Sequence, residues 1–166
     1  MKNIVLIGMM GCGKTTIAKL LSKKLERVYL DMDEYIVNKY QQSIDDMFKI
    51  GEDYFRKNET DVCLSISKLE GYIISTGGGV VLNPKNIEYL KENGIIVFID
   101  RPVEKIAEDV DIASRPLLKD GADKLYQLHQ QRYQLYLNAC DIHLINDQSA
   151  QNAVDRLIEL LADSSN

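Results

Sequence analysis

The sequence has few of the features that mark membrane, secreted or metal-binding proteins. Its three cysteines are far apart and lack the spacing of a metal-binding motif, so a reducing, cytoplasmic setting is expected. No apolar run approaches the roughly 20 residues of a membrane-spanning helix. A strand-like segment begins almost directly after Met1, so we expect no signal peptide.

Positive charge is also scarce, with 20 Lys and Arg residues against 25 Asp and Glu residues and a net charge of −5. A nucleic-acid-binding surface needs the opposite balance, so we expect no nucleic-acid partner. No internal repeat and no linker rich in proline, glycine or serine divides the chain. One domain spanning residues 1–166 is therefore predicted.

One glycine-rich segment carries the strongest functional signal. Residues 8–15 read GMMGCGKT and match the pattern G-x-x-x-x-G-K-[ST]. An apolar run at 4–7 precedes the segment and an amphipathic helical pattern follows it, which is the context of a phosphate-binding loop. The segment predicts binding of a nucleoside triphosphate, with Lys14 at the β- and γ-phosphates and Thr15 as a ligand of Mg²⁺.

Strand-like apolar runs alternate with helical patterns along the chain, which predicts an α/β fold whose parallel sheet is covered on both faces. The five predicted strands lie near 4–7, 28–31, 72–75, 95–99 and 142–145. The pattern fails at about 108–123, in a polar segment that contains Arg115. Because loops of this length in compact domains are often functional, we predict a lid there.

Two acids lie where the second predicted strand ends and a helix begins. In an extended chain Asp31 and Asp33 would point to the same side, at the sheet edge where the glycine-rich loop also lies. One carboxylate near Mg²⁺ and one near an acceptor hydroxyl would suit phosphoryl transfer. The alternative is that Asp33 only caps a helix while Asp31 is solvated. Asp100 also ends an apolar strand and competes for the magnesium role.

Two further patterns point to a substrate site. Arg56 lies about one helical turn from both Glu52 and Glu59, which fits either a surface ion pair or an arginine oriented to bind a carboxylate. Three glycines at 77–79 follow the third predicted strand. They suit the close approach of a ligand to the backbone, with a flexible turn as the alternative.

Basic residues in and after the irregular segment are candidates to stabilise transition-state charge. Arg115 and Arg132 would stabilise that charge by closing over the phosphates. The alternative is that both are ordinary solvent-exposed surface residues. His129 and His143 have no nearby partner pattern, so we expect both to be structural.

Taken together, these segments resemble the shikimate kinase family. The motifs occur in the family's order and with suitable gaps through nearly the whole chain. They are GMMGCGKTT at 8–16, LDMD at 30–33, GEDYFR at 51–56, TGGG at 76–79, SRPLL at 114–118 and RYQLY at 132–136. The resemblance implies the nucleoside-monophosphate-kinase variant of the P-loop fold, a three-layer sandwich with a five-stranded parallel sheet in the order 2-3-1-4-5 and a mobile lid.

The resemblance implies transfer of the γ-phosphoryl group of ATP to the 3-hydroxyl of shikimate, in the route to chorismate and aromatic amino acids. It implies Asp33, Lys14 and Arg115 as catalytic residues, and Thr15 with Asp31, through water, as the magnesium site. Besides Arg115, it implies ATP contacts from the loop residues Gly11, Cys12, Gly13, Lys14, Thr15 and Thr16.

The resemblance also implies a substrate-binding region at about 32–61, supplemented from elsewhere in the chain. Arg56 and Arg132 match the arginines that bind the shikimate carboxylate, and Glu59 matches the acid that positions Arg56. Gly78 matches a backbone contact to the substrate, and we extend that role to Gly79. Asp33 matches the acid that binds the diol and activates the attacking hydroxyl.

The chain departs from the family pattern at two positions. Glu108 stands where members often carry a basic residue that contacts ATP, so either the alignment shifts or Lys105 substitutes. Gln134 stands in place of the proline in R-x-P-L-Y. Two alternatives stay open: another kinase of this fold, such as a gluconate kinase-like enzyme, and a non-catalytic ATP-sensing regulator favoured only by Glu108. A monomer is expected, since no helix has an obviously exposed apolar face.

Overall fold

The computed structural model of the protein describes residues 1–109 and 122–164, and it has the predicted five strands. The strands are β1 (Asn3–Ile7), β2 (Tyr29–Asp31), β3 (Ile73–Ser75), β4 (Gly94–Asp100) and β5 (Ile142–Ile145). All pairs of neighbouring strands are parallel, and the order is β2-β3-β1-β4-β5. The expected fold and strand order are therefore confirmed.

Eight α-helices lie in the described part of the chain. They are α1 (Lys14–Leu25), α2 (Met32–Tyr40), α3 (Ile44–Ile50), α4 (Glu52–Ile66), α5 (Pro84–Glu92), α6 (Val103–Asp109), α7 (Ala122–Ala139) and α8 (Ala150–Ser164). A 3₁₀ turn at Val80–Leu82 follows β3. None of the helices seen in the described ranges is long and apolar enough to cross a membrane. The predicted lid falls mostly on residues 110–121, outside the described residues, and so does Arg115.

The central strand β1 is buried on both faces, as the covered parallel sheet requires. All five of its residues are buried, although successive side chains of a strand point to opposite faces. Residues of α1 and α8 and the aromatic side chains of Phe98 and Tyr136 complete the core. The site therefore stands on a rigid sheet whose middle strand leads directly into the glycine-rich loop.

A buried asparagine fastens the start of β1 to the chain that enters β3. The side chain of Asn3 is 1% exposed; its Nδ2 donates to Leu69 O at 2.8 Å and its Oδ1 accepts from Tyr72 N at 2.9 Å. Asn93 Nδ2 donates to the same carbonyl of Leu69 at 2.7 Å. Removing Asn3 would thus leave the Tyr72 N–H without its acceptor, whereas the Leu69 carbonyl would keep one donor.

We predict that Asn3→Ala lowers the free energy of unfolding by about 1–3 kcal/mol, because a backbone N–H loses its acceptor in the fold. Urea denaturation measures the change. Asn93→Ala is the control, since it removes a bond to Leu69 O that Asn3 still satisfies, and its effect should be smaller. Equal effects of the two substitutions would contradict this account of Asn3.

Candidate active site

The glycine-rich loop between β1 and α1 has a backbone that other residues could not adopt. Gly13, the residue before α1, has φ of 100°, and a Cβ there would lie 2.8 Å from Asn146 Nδ2. A Cβ on Gly8 would lie 2.6 Å from Ile99 O. The close approach of β4 and of the loop after β5 therefore requires glycine at both positions.

Lys14 folds back under the loop that it follows. Its Nζ donates to Gly8 O at 2.5 Å and to Met9 O at 3.0 Å, and the residue is buried. Cys12 is also buried, with its Sγ 3.7 Å from Lys14 Nζ. Thr15 and Thr16 are exposed at the start of α1. The loop thus presents an ammonium group, hydroxyl groups and the first N–H groups of a helix to one cleft.

Two side chains hold the outer carbonyls of the loop, and no sequence motif indicated them. Arg101 Nη1 donates to Gly11 O at 3.0 Å, and its Nη2 pairs with Asp109 Oδ2. Asn146, buried after β5, donates from Nδ2 to Cys12 O at 2.9 Å. Because the carbonyl and N–H of a trans peptide point in opposite directions, these contacts fix the direction of the next N–H groups in the loop.

The two acids at the end of β2 and the start of α2 lie in one cleft, although not for the reason expected from an extended chain. Asp31 caps α2, since its Oδ1 accepts from Glu34 N at 3.0 Å, and Asp33 lies in the first turn of the helix. The alternative in which Asp33 is the cap is therefore wrong. Both carboxylates line a cleft of about 520 Å³ together with Lys14 and Thr15.

The carboxylate of Asp33 faces the open cleft among opposing charges. Partial desolvation and the negative charge of Asp31 raise the pKa of Asp33, while the positive charges of Lys14 and Arg56 oppose the rise. A carboxylate in this environment is a stronger base than an ordinary aspartate and still has cations on two sides.

Asp100 binds two side chains that do not line the cleft. Its Oδ2 accepts from the Tyr133 hydroxyl at 2.7 Å and lies 2.7 Å from His143 Nε2. The hydrogen bond to Asp100 is the main cause that raises the pKa of Tyr133 to about 12. In contrast, Asp31 is connected to Thr15 of α1 through Tyr29, whose hydroxyl donates to Asp31 Oδ2 at 3.3 Å and also hydrogen-bonds to Thr15.

Arg56 makes two different ion pairs on α4. Its Nη1 donates to Glu59 Oε1 at 3.0 Å, and its Nε lies 3.4 Å from the exposed Glu52. Glu59 is only 1% exposed, and within the described residues its Oε2 has no hydrogen-bond partner. Burial raises the pKa of Glu59, while the charge of Arg56 opposes the rise. The Arg56–Glu59 contact is thus more than a surface ion pair.

The three glycines after β3 each meet a different charged side chain. A Cβ on Gly77 would lie 3.1 Å from Asp33 Oδ1, and one on Gly78 would lie 3.6 Å from Arg132 Nη1. A Cβ on Gly79 would lie 2.5 Å from Arg56 Nη1, so any other residue there would displace the guanidinium. The glycine run therefore brings an acid and two guanidinium groups to one loop.

A larger groove of about 740 Å³ lies near the start of β1 and β4, with Met1, Lys2 and Arg27 on its walls. The phosphate-binding loop, the two acids and the glycine run lie instead at the opposite edge, beyond the carboxyl ends of the strands. In open α/β sheets ligands bind at that edge. Fold and site together define the class: a P-loop kinase that acts on a small molecule.

The family model described as "SKI: Shikimate kinase" matches residues 10–162. The chain belongs to the shikimate kinase family, whose members are ATP-dependent kinases that phosphorylate shikimate. A shikimate kinase of Clostridium beijerinckii is 46% identical over 165 residues, covering 99% of this chain and 98% of the relative. One of Clostridium botulinum is 45% identical over 162 residues, covering 97% and 98% respectively.

Solved structures agree with the sequence matches. Shikimate kinase from Acinetobacter baumannii, solved in complex with shikimate, superposes with a TM-score of 0.91 and is 32% identical. The match covers 99% of this chain and 94% of that one. The activity predicted from the motifs is confirmed by these relationships, and the alternatives of a gluconate kinase-like enzyme and of an ATP-sensing regulator are set aside.

We predict that Asn146→Ala raises the KM for ATP by about three- to tenfold, because the loop loses the donor that fixes the Cys12 carbonyl. The KM for shikimate should remain unchanged. Steady-state kinetics with each substrate varied in turn measures both constants. Asn138→Ala, at an exposed position on α7, is the control and should leave both constants unchanged. An unchanged KM for ATP in Asn146→Ala would refute this role.

Proposed function

We propose that the cleft between the glycine-rich loop and the 77–79 loop is where the γ-phosphoryl group of ATP passes to the 3-hydroxyl of shikimate. One observation carries the proposal: Asp33, Arg132 and Arg56 lie against three consecutive glycines at the edge where the phosphate-binding loop also opens. An acid and two guanidinium groups suit a hydroxylated carboxylate. The acceptor would thus lie beyond the γ-phosphate.

The donor half of the site follows from the loop geometry. Lys14 would leave the loop carbonyls for the β- and γ-phosphates, and the N–H groups at the start of α1 would bind phosphate oxygens. The contributing residues are Gly11, Cys12, Gly13, Lys14, Thr15 and Thr16. Because Cys12 is buried, its contact would come from the backbone. Arg115, which lies outside the described residues, stays a predicted ATP contact that stabilises transition-state charge.

The oxygen groups of the cleft fit a magnesium ion. Mg²⁺ takes oxygen ligands, keeps several waters and binds through one or two protein groups plus the substrate phosphates. Thr15 and Asp31 both line the cleft, so Thr15 would bind the ion directly and Asp31 through water. Asp100 is the poorer candidate because Tyr133 and His143 already occupy its Oδ2. When bound, the ion neutralises charge on the β- and γ-phosphates.

The acceptor half is organised by charge. Arg56 and Arg132 would bind the carboxylate of shikimate, and Glu59 would hold Arg56 in the orientation for a two-point contact. Gly78 and Gly79 would offer backbone N–H groups, since no side chain separates the loop from the ligand. The exposed Asp33 would accept a hydrogen bond from the attacking hydroxyl and take its proton as the new O–P bond forms, while the bond from the γ-phosphorus to the bridging oxygen breaks and ADP leaves.

Catalysis in this arrangement rests on positioning and on neutralising charge. The groups hold the acceptor oxygen in line with the transferred phosphoryl group, while Lys14 offsets its charge. We further propose that the enzyme works as a monomer in the cytoplasm. Support for a reducing compartment comes from the thiols of Cys12, Cys63 and Cys140, all of which are free.

We predict that Asp33→Asn lowers kcat by about 10²–10⁴-fold, because the amide cannot take the proton of the attacking hydroxyl. Calorimetry should show unchanged binding of Mg·ATP. Asp45→Asn, at an exposed position in the first turn of α3, is the control and should keep full activity. Turnover near the wild-type rate in Asp33→Asn would rule out both the base and the diol contact.

The raised pKa of Asp33 gives the wild-type enzyme a defined pH dependence. Only the ionised carboxylate can act as base, so kcat/KM for shikimate should fall as the pH drops through the pKa of Asp33. Since that pKa is raised, the fall should begin at a higher pH than for an ordinary aspartate. A profile that stays flat down to the usual range of aspartate would contradict this assignment.

We predict that Arg56→Ala raises the KM for shikimate by at least about tenfold, because the carboxylate loses a charged partner and the buried Glu59 loses its ion-pair partner. The KM for ATP should change little. Glu52→Gln removes only the exposed partner of Arg56 and should leave the KM for shikimate within about twofold. An unchanged KM for shikimate in Arg56→Ala would mean that Arg56 forms only a surface ion pair.

A further inference from the structure

A buried tyrosine lies directly behind the 77–79 loop. Tyr136 is 0% exposed and follows Arg132 by one turn of α7. Its hydroxyl donates to Gly78 O at 2.6 Å. Its ring stacks on Phe98, with centroids 5.1 Å apart and planes inclined by 28°. Because the ring is held by the sheet, the position of the hydroxyl is fixed relative to β4.

The bond to Gly78 O decides how the next peptide unit is oriented. No peptide bond in the described residues is cis, so the N–H of Gly79 points away from the Gly78 carbonyl and hence away from Tyr136. In the described part of the chain, the N–H groups of Gly78 and Gly79 have no protein acceptor. They are therefore available to a ligand, and glycine alone would not hold them in one direction.

The hydroxyl also lies close to the two guanidinium groups of the acceptor half. Burial raises the pKa of Tyr136 to about 12, and the positive charges of Arg132 and Arg56 oppose the rise. The hydroxyl thus stays protonated at neutral pH, where it donates to the Gly78 carbonyl and also hydrogen-bonds to the side chain of Arg132. Arg132 and Tyr136 lie four residues apart on α7. One helix therefore positions both the Arg132 guanidinium and, through Tyr136, the Gly78 peptide.

We propose that Tyr136 is a positioning residue of the acceptor site, whose hydroxyl holds the Gly78 carbonyl so that the Gly79 N–H is presented to the acceptor. Tyr136 touches neither the substrate nor the reacting atoms. The proposal rests on the proposed function, because it assumes that the 77–79 loop and Arg132 contact shikimate. Loss of the hydroxyl leaves the peptide free to rotate, and binding of the acceptor weakens.

Tyr133 provides a matched control on the same helix. Its hydroxyl also donates to one acceptor at 2.7 Å, and its ring also packs on Phe98, with centroids 5.6 Å apart. That acceptor is Asp100, which is directed away from the cleft. Tyr133→Phe and Tyr136→Phe therefore remove the same group from the same helix, and only Tyr136→Phe releases the 77–79 loop and the hydroxyl's contact with Arg132.

The experiment compares the two variants by steady-state kinetics with Mg·ATP and shikimate. In Tyr136→Phe we expect the KM for shikimate to rise about tenfold, with kcat changed less than about threefold and the KM for ATP unchanged. In Tyr133→Phe the KM for shikimate should stay within about twofold of wild type. Equal KM values in the two variants would overturn the proposal, because a merely structural tyrosine would act on stability alone.

Two further measurements keep the result interpretable. In the wild-type enzyme, shikimate should shift the amide resonance of Gly79, and an unmoved resonance would overturn the proposal without any variant. Arg132→Ala tests the underlying subsite: an unchanged KM for shikimate there would remove both the subsite and the role of Tyr136. A raised KM in Arg132→Ala with no effect in Tyr136→Phe would remove the role of Tyr136 alone.

Discussion

The ion pair between Arg56 and Glu59 is the contact on which the acceptor side of the site depends. Glu59 is almost fully buried, and its Oε2 has no hydrogen-bond partner in the described residues. A buried carboxylate of this kind is costly unless a cation compensates it. A Cβ at position 79 would lie 2.5 Å from Nη1 of the guanidinium that does so, and any residue other than glycine there would displace it. Glycine at position 79 therefore lets Arg56 keep its place beside Glu59.

The sheet explains how the two halves of the site come together. β1 lies between β3 and β4, and the chain runs from β1 outward to β2 before it returns to β3. The segments after β1, β2 and β3 consequently emerge at one edge, carrying the phosphate-binding loop, the two acids and the glycine run. The distance between the phosphate-donor half and the acceptor half of the site is thus fixed by the sheet, in which neighbouring strands lie about 4.8 Å apart.

The sequence was sufficient to predict the elements, the phosphate-binding loop and the residues grouped around the cleft, because each lies in a local pattern. Contacts between distant residues had no such pattern. Asn146 reaches a carbonyl 134 positions away, and Tyr136 reaches one 58 positions away. The sequence predicts a structural role for His143 and makes its partner Asp100 a magnesium candidate, because the sequence shows only that Asp100 ends a strand. Spacing likewise suggested an extended chain at Asp33, where a helix has already begun.

Charge balance accounts for the use of two arginines on the acceptor side. Arg56 and Arg132 together carry two positive charges, and both oppose the rise in the pKa of Glu59. Glu59 and Asp33 carry two negative charges beside the same glycine run, so the two arginines balance both acids. With a single arginine, the carboxylate of the acceptor would enter a site of net negative charge and would be repelled. The second arginine lies on α7, so the helix that completes this balance is also the one that carries Tyr136 beneath the glycine loop.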